Sequence, residues 1–196
     1  MYKNRRIRFI IACGAYLSVT ALDLWLTYLA TPNLYLEGNP LIDVLGWGWT
    51  GLILINVVTC VGYLFMARYA FIKYEPRKSA ERDMKRYLSD INYGDPEKSV
   101  PLMYKLPKDW GPQLACMCWS VCLALPFSRL IIVLEWFLML MRIPAPNFFS
   151  VVMLFPGGRI DFFVAVILAW MLSFVWIRLD YRAHLARLDA HDAESA

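Results

Sequence analysis

Four stretches of this chain are apolar for long enough to cross a bilayer, and nothing else in it constrains the fold as much. They run over residues 7–30, 50–74, 114–141 and 160–179. A helix rises ~1.5 Å per residue, so about 20 apolar residues span a hydrocarbon core of ~30 Å. Composition points the same way: 59% of residues are hydrophobic and 18% are charged, unlike a water-soluble domain. The sequence predicts an all-α integral membrane protein, a single polytopic domain over 1–196 with four transmembrane helices.

The cations predict which way those helices run. Lys3, Arg5, Arg6 and Arg8 precede the first helix, and more basic residues follow the fourth. Between the second and third lie Arg77, Lys78, Arg82, Lys85, Arg86, Lys98, Lys105 and Lys108. Residues 31–48 hold Glu37 and Asp43 but no Lys or Arg, and residues 142–159 hold few. Cytoplasmic loops carry the excess of Lys and Arg, so both termini and the loop 75–113 are expected in the cytoplasm, N-in and C-in. The expected location is a bacterial inner membrane. The amino terminus has a basic region and then an apolar one, as a signal peptide does. Only a few apolar residues separate Arg8 from Cys13, too few for a signal core, and the apolar run continues past the cysteine. An uncleaved first helix is the expectation.

Within the long loop, Ser79 to Ile91 reads as a short amphipathic helix. Met84, Leu88 and Ile91 recur at helical spacing beside Tyr87, while Lys85 and Arg86 point elsewhere. The sequence Asn92-Tyr93-Gly94-Asp95-Pro96 breaks it. The third spanning helix contains Pro126, which predicts a kink near Ala124. Residues 143–158 hold an apolar octet between Pro146 and Pro156, too short to cross, and read as a re-entrant or interfacial segment. Residues 180–196 read as a cytoplasmic tail with a frayed acidic end.

Ionisable residues inside apolar runs are the natural place to look for function, because desolvating them is costly. Counting from the cytoplasmic ends at ~1.5 Å per residue, Asp23 lies ~24 Å up its helix, Arg129 ~22 Å and Asn56 ~20–25 Å. Thr20 and Thr27 share the helix face of Asp23. The expectation is an intramembrane polar cluster of Asp23, Thr27, Asn56 and Arg129, with Glu37, Asn39, Glu135, Arg159 and Asp161 around its outer mouth. Such a cluster has two readings, an ion pair that fixes helix register or a site for a ligand or ion.

Signatures of catalysis are missing. The two histidines, His184 and His191, both lie in the tail. No Gly-x-Ser-x-Gly, His-Glu-x-x-His or phosphate-binding glycine loop occurs. The five cysteines, Cys13, Cys60, Cys116, Cys118 and Cys122, all fall in apolar runs and lack the Cys-x2-Cys spacing of a zinc site. They read as small packing residues. No catalytic residue, metal or cofactor is expected.

Around Asp23-x3-Thr27 and Glu37-x-Asn39-Pro40 the chain resembles the DUF5658-like family of small prokaryotic membrane proteins. There, a first helix with an Asp and a Thr leads into a Glu-x-Asn-Pro turn before the second helix. The resemblance covers residues 21–51 and implies a compact helical membrane domain without an established activity. In layout alone, four helices and a basic cytoplasmic platform also resemble the membrane subunit of two-component antiviral systems such as Kiwa.

The function expected from these features is non-enzymatic. An inner-membrane scaffold or sensor subunit would self-associate as a homo-oligomer and present its loop and tail to a cytoplasmic protein partner. Arg77, Lys78, Arg82, Lys85 and Arg86 would form the surface for that partner or for anionic lipid headgroups. One alternative is a small transporter or channel built on the polar cluster. Another is a membrane enzyme acting on a lipid, with Glu37 or Asp23 as acid or base. Specific nucleic-acid binding is not expected, because Glu75, Glu81, Asp83, Asp90, Asp95, Glu97 and Asp109 dilute the basic charge.

Overall fold

The computed structural model describes residues 4–34, 46–97, 106–142 and 160–195, with the side chains of 160–162 and 195 excepted. The described residues are helical wherever they are regular, in the order α1 (Arg5–Ala30), α2 (Gly48–Arg68), α3 (Met84–Tyr93), α4 (Gly111–Leu140) and α5 (Ile160–Ser195). A π-helical turn, Tyr69–Lys73, continues α2. Four of the helices are long and apolar enough to span a membrane, so the chain is an integral membrane protein. Residues 143–159, with Arg159 among them, and the residues Glu37 and Asn39 lie outside the described residues, so the re-entrant reading does too. Asp161 falls within α5, but its side chain is not among those described.

α4 is the centre of the bundle. α4 packs along α1, and α2 closes against both; α5 lies along α4 on the outside. The apolar window of α5 is only 17% buried, against 28–33% for the other three spans. Large apolar residues that face outward, such as Ile10, Val58, Phe65 and Trp170, are the contact expected with lipid tails.

The core runs through aromatic and small residues. Tyr63 of α2 stacks on Tyr16 of α1 with ring centroids 3.9 Å apart, among Ala12, Cys13, Ala67, Phe71 and Cys122. Cys13, Cys116, Cys118 and Cys122 are buried free thiols, and Cys60 is half-buried. Among the described residues no group of His, Cys, Asp and Glu could hold a metal ion.

Pro126 stands inside α4, which continues through it to Leu140. A proline has no N–H for the carbonyl four residues back, which here is that of Cys122. The Tyr63 hydroxyl lies 2.8 Å from the Cys122 carbonyl oxygen and 3.0 Å from that of Ala12. Its single proton is shared between them, and the carbonyl orphaned by Pro126 is thereby satisfied.

At one end of the bundle α1 begins, α2 ends, α4 begins and the last turns of α5 stand clear of the apolar spans. Arg5 donates to the Ile72 carbonyl there, at 3.4 Å. We call this the loop end. α3 starts at Met84, later than the amphipathic pattern alone suggests, because the Asp83 carboxylate accepts from the Lys85 and Arg86 amides at 3.0 Å each. That is an N-cap, and it fixes the first turn. Gly94, at φ 69°, ends the helix in the left-handed conformation a glycine adopts without strain. The acidic end expected to fray is helical instead, since α5 carries on as helix to Ser195.

Candidate functional site

Asp23 sits in the second half of α1 and Arg129 in the second half of α4, beyond Pro126. Arg129 Nη1 donates to Asp23 Oδ2 at 2.5 Å. Its other fork, Nη2, donates to Asn56 Oδ1 on α2 at 2.9 Å. One guanidinium thus ties α4 to both α1 and α2. The Asn56 amide is oriented by its own helix, since Nδ2 donates to the Leu52 carbonyl at 2.8 Å and leaves Oδ1 for the arginine.

The pair is largely withdrawn from solvent, with 9% of the Asp23 side chain and 20% of the Arg129 side chain accessible. Arg129 is therefore held by two acceptors and Asp23 by a charge-assisted hydrogen bond, the arrangement that makes buried charge tolerable. Chemically this is a neutralised pair.

The neighbours expected around it divide. Thr27 is buried on the same face of α1, but its hydroxyl donates to the Asp23 carbonyl oxygen at 2.8 Å and not to the carboxylate. Thr20 is also buried there, and its Oγ1 has no partner among the described residues. Glu135 lies farther along α4, half-buried beside the buried Trp136.

A second constellation forms at the loop end, between α3 and the extension of α5. Tyr87 donates from its hydroxyl to Asp180 Oδ2 at 2.6 Å. Its ring stacks on His184 with centroids 4.3 Å apart. His184 Nε2 lies 2.8 Å from the Glu81 carbonyl oxygen, so it is the protonated nitrogen and donates. The Tyr181 hydroxyl donates to the Arg82 carbonyl. Asp180 and His184 are almost wholly buried, as is Tyr87. Burial, and then the neighbouring Asp180 carboxylate, push the Tyr87 hydroxyl well above its usual range, so it stays protonated.

The basic residues of this region have unequal roles. Arg82 reaches Asp189 at 2.9 Å and Asp192 at 2.6 Å, and its hydrogen bonds to them raise its pKa further. Arg77 lies 3.8 Å from Asp109. Lys78, Lys85 and Arg86 are exposed.

Sequence reasoning missed the Tyr87–Asp180–His184 junction. A signal for it exists: Trp176, Asp180 and His184, all buried, recur every fourth residue and mark one face of a helix running past the apolar span. No family model, curated protein or solved structure matches the chain.

Proposed function

We propose that this protein is a non-enzymatic membrane subunit whose bundle holds a rigid basic platform for a protein partner with an acidic surface. The observation that carries this reading is the clamp on α3. An amphipathic helix meant only for lipid would present its aromatic face to the bilayer, yet Tyr87 is spent on Asp180 and His184 of α5. The clamp fixes the helix while Lys85 and Arg86 stay exposed on it, with Lys78 exposed just before. Preorganised charge of this kind steers and orients a partner more than it adds affinity.

In this reading the loop end faces the cytoplasm, which the positive-inside distribution of Lys and Arg supports, and the membrane is a bacterial inner membrane. Self-association belongs to the same reading, with the weakly covered outer face of α5 as the contact between copies. Purification from native membranes tests both parts. The expected result is a co-purifying protein that is lost from a Lys78→Glu, Lys85→Glu, Arg86→Glu variant whose helix content and thermal midpoint are unchanged. Retention on anionic vesicles alone, with no protein recovered, would replace the partner by a lipid surface.

A second reading has one observation in its favour. The Thr20 hydroxyl, buried and without a partner on the face of Asp23, is an open polar position next to an ion pair. A small transporter would use such a position for a transient ligand. Flux in proteoliposomes that is abolished by Asp23→Asn and by Arg129→Gln would favour it over the scaffold.

A further inference from the structure

A cleft of about 220 Å³ opens at the loop end, where the π-helical turn after α2 meets the first turn of α4. Its polar lining comprises Lys73, Glu75, Arg77 and Asp109, with Tyr69 and the Gly111 backbone between them. Two cations and two carboxylates therefore face one small space, and their formal charges cancel. That balance is a poor fit for a simple anion, which either carboxylate would repel. It suits a ligand that carries both signs a few ångströms apart.

The four charges are available to such a ligand. Lys73 and Glu75 are exposed and make no ion pair among the described residues. Arg77 and Asp109 are 3.8 Å apart, beyond hydrogen-bonding distance, and each keeps over two-fifths of its side chain accessible, 43% and 45%. Asp109 Oδ1 accepts from the Gly111 amide at 2.8 Å, which fixes the carboxylate and leaves Oδ2 toward Arg77.

The position of the cleft says which zwitterion. It lies where the apolar spans of α2 and α4 give way to the polar loop, beside Trp110, which is 54% exposed at the start of α4. Exposed indoles at such a boundary mark headgroup depth. Drug-sized ligands fill pockets of about 300–1,000 Å³; a smaller cleft at this depth suits a headgroup whose chains remain in the bilayer.

We propose that this cleft binds the headgroup of a zwitterionic phospholipid with a primary ammonium, a phosphoethanolamine lipid. Lys73 and Arg77 hold the phosphodiester, and Glu75 and Asp109 accept hydrogen bonds from the ammonium. A quaternary ammonium has no N–H to donate, so a phosphocholine lipid loses that half of the recognition. A phosphoglycerol lipid keeps the phosphate but brings no positive charge to the carboxylates. This inference rests on the membrane placement of the helices and not on the platform reading, so either can fail alone.

The test is native mass spectrometry of the delipidated full chain, titrated with dioleoyl lipids bearing phosphoethanolamine, phosphocholine or phosphoglycerol headgroups. The expected result is about ten-fold tighter retention of the phosphoethanolamine lipid than of the other two. Glu75→Gln alone, at an exposed residue without a packing role, should narrow that preference several-fold, and Glu75→Gln with Asp109→Asn should shift it toward the phosphoglycerol lipid. Arg77→Gln with Lys73→Gln should remove retention of all three. Equal retention of phosphoethanolamine and phosphocholine lipids would overturn the assignment, as would a preference for phosphoglycerol in the unmodified chain. Binding of soluble glycerophosphoethanolamine as tight as that of the lipid would also overturn it, in favour of a water-soluble ligand.

Discussion

The hydroxyl of Tyr63 stands in for the amide that Pro126 lacks. It lies 2.8 Å from the Cys122 carbonyl oxygen, the acceptor an ordinary residue at 126 would have served through its backbone. Because Tyr63 is fully buried, no water can replace its proton there. Tyr63→Phe keeps the ring stack on Tyr16 and removes only the donor. A buried polar group left without its partner costs about 1–3 kcal/mol, so the thermal midpoint in detergent should fall. Pro126→Ala returns an N–H to the Cys122 carbonyl. The double variant should therefore recover most of the loss, and a cycle showing additive effects would break the link between the two residues.

The Asp23–Arg129 pair invites a different design. Removing one partner of a buried pair leaves the other charge uncompensated and costs about 3–5 kcal/mol, whereas replacing both with apolar residues is often neutral or stabilising. Arg129→Leu and Asp23→Leu should each lower thermal stability sharply. The double substitution should restore it, with Asn56 losing the guanidinium that its Oδ1 accepts from. If the double variant folds and still recovers the co-purifying partner, the pair serves assembly. A folded double variant that has lost flux in proteoliposomes would instead assign the pair to transport.

How far these features could be read from the chain depended on whether they follow from local sequence. The four spans are set by residue transfer into lipid, a property of each run by itself, and the structure has them where the runs lie. The meeting of Asp23, Asn56 and Arg129 also has a local cause, because depth along a helix is proportional to residue count. What depth does not give is azimuth. Thr27 lies at the right level and on the right face, yet its hydroxyl turns back onto the Asp23 carbonyl, a choice made within its own helix turn. The clamp of α3 on α5 joins residues roughly ninety to a hundred positions apart and depends on α5 remaining helical past its apolar end. Composition reads residues 180–196 as a polar tail. Only the four-residue recurrence of Trp176, Asp180 and His184 shows that a packed face continues into it.

The clamp has a pH dependence whose sign is fixed. Burial and Asp180 raise the Tyr87 pKa in the folded state above the ordinary value of 10.0. A raised acid pKa means that the folded state holds the proton more tightly than the unfolded one. The contribution of Tyr87 is therefore fully present below about pH 10 and is lost as pH climbs through the folded value. Hydrogen exchange at the α3 amides should therefore show no loss of the Tyr87 contribution between neutral pH and about pH 10. Tyr87→Phe should raise that exchange at neutral pH by removing a hydrogen bond to a charged acceptor, worth about 1.5–3 kcal/mol. Unchanged protection in the variant would mean that ring packing on His184 holds α3 alone.

Arg82 makes the opposite case at the same junction. Its ion pairs with Asp189 and Asp192 lie in the open, with more than half of all three side chains accessible, at 55%, 65% and 68%. Exposed pairs are screened by salt, with a Debye length of about 10 Å at 0.1 M falling to about 3 Å at 1 M. Raising salt should fray the last turns of α5 around Asp189 and Asp192, visible as faster exchange there. Protection of α3 should hold, because Tyr87 and Asp180 are shielded from the ions. Arg82→Ala should reproduce the effect of salt on α5 and make it salt-independent. Loss of α3 protection in high salt would show that the surface pairs carry the clamp and that the buried hydrogen bond follows them.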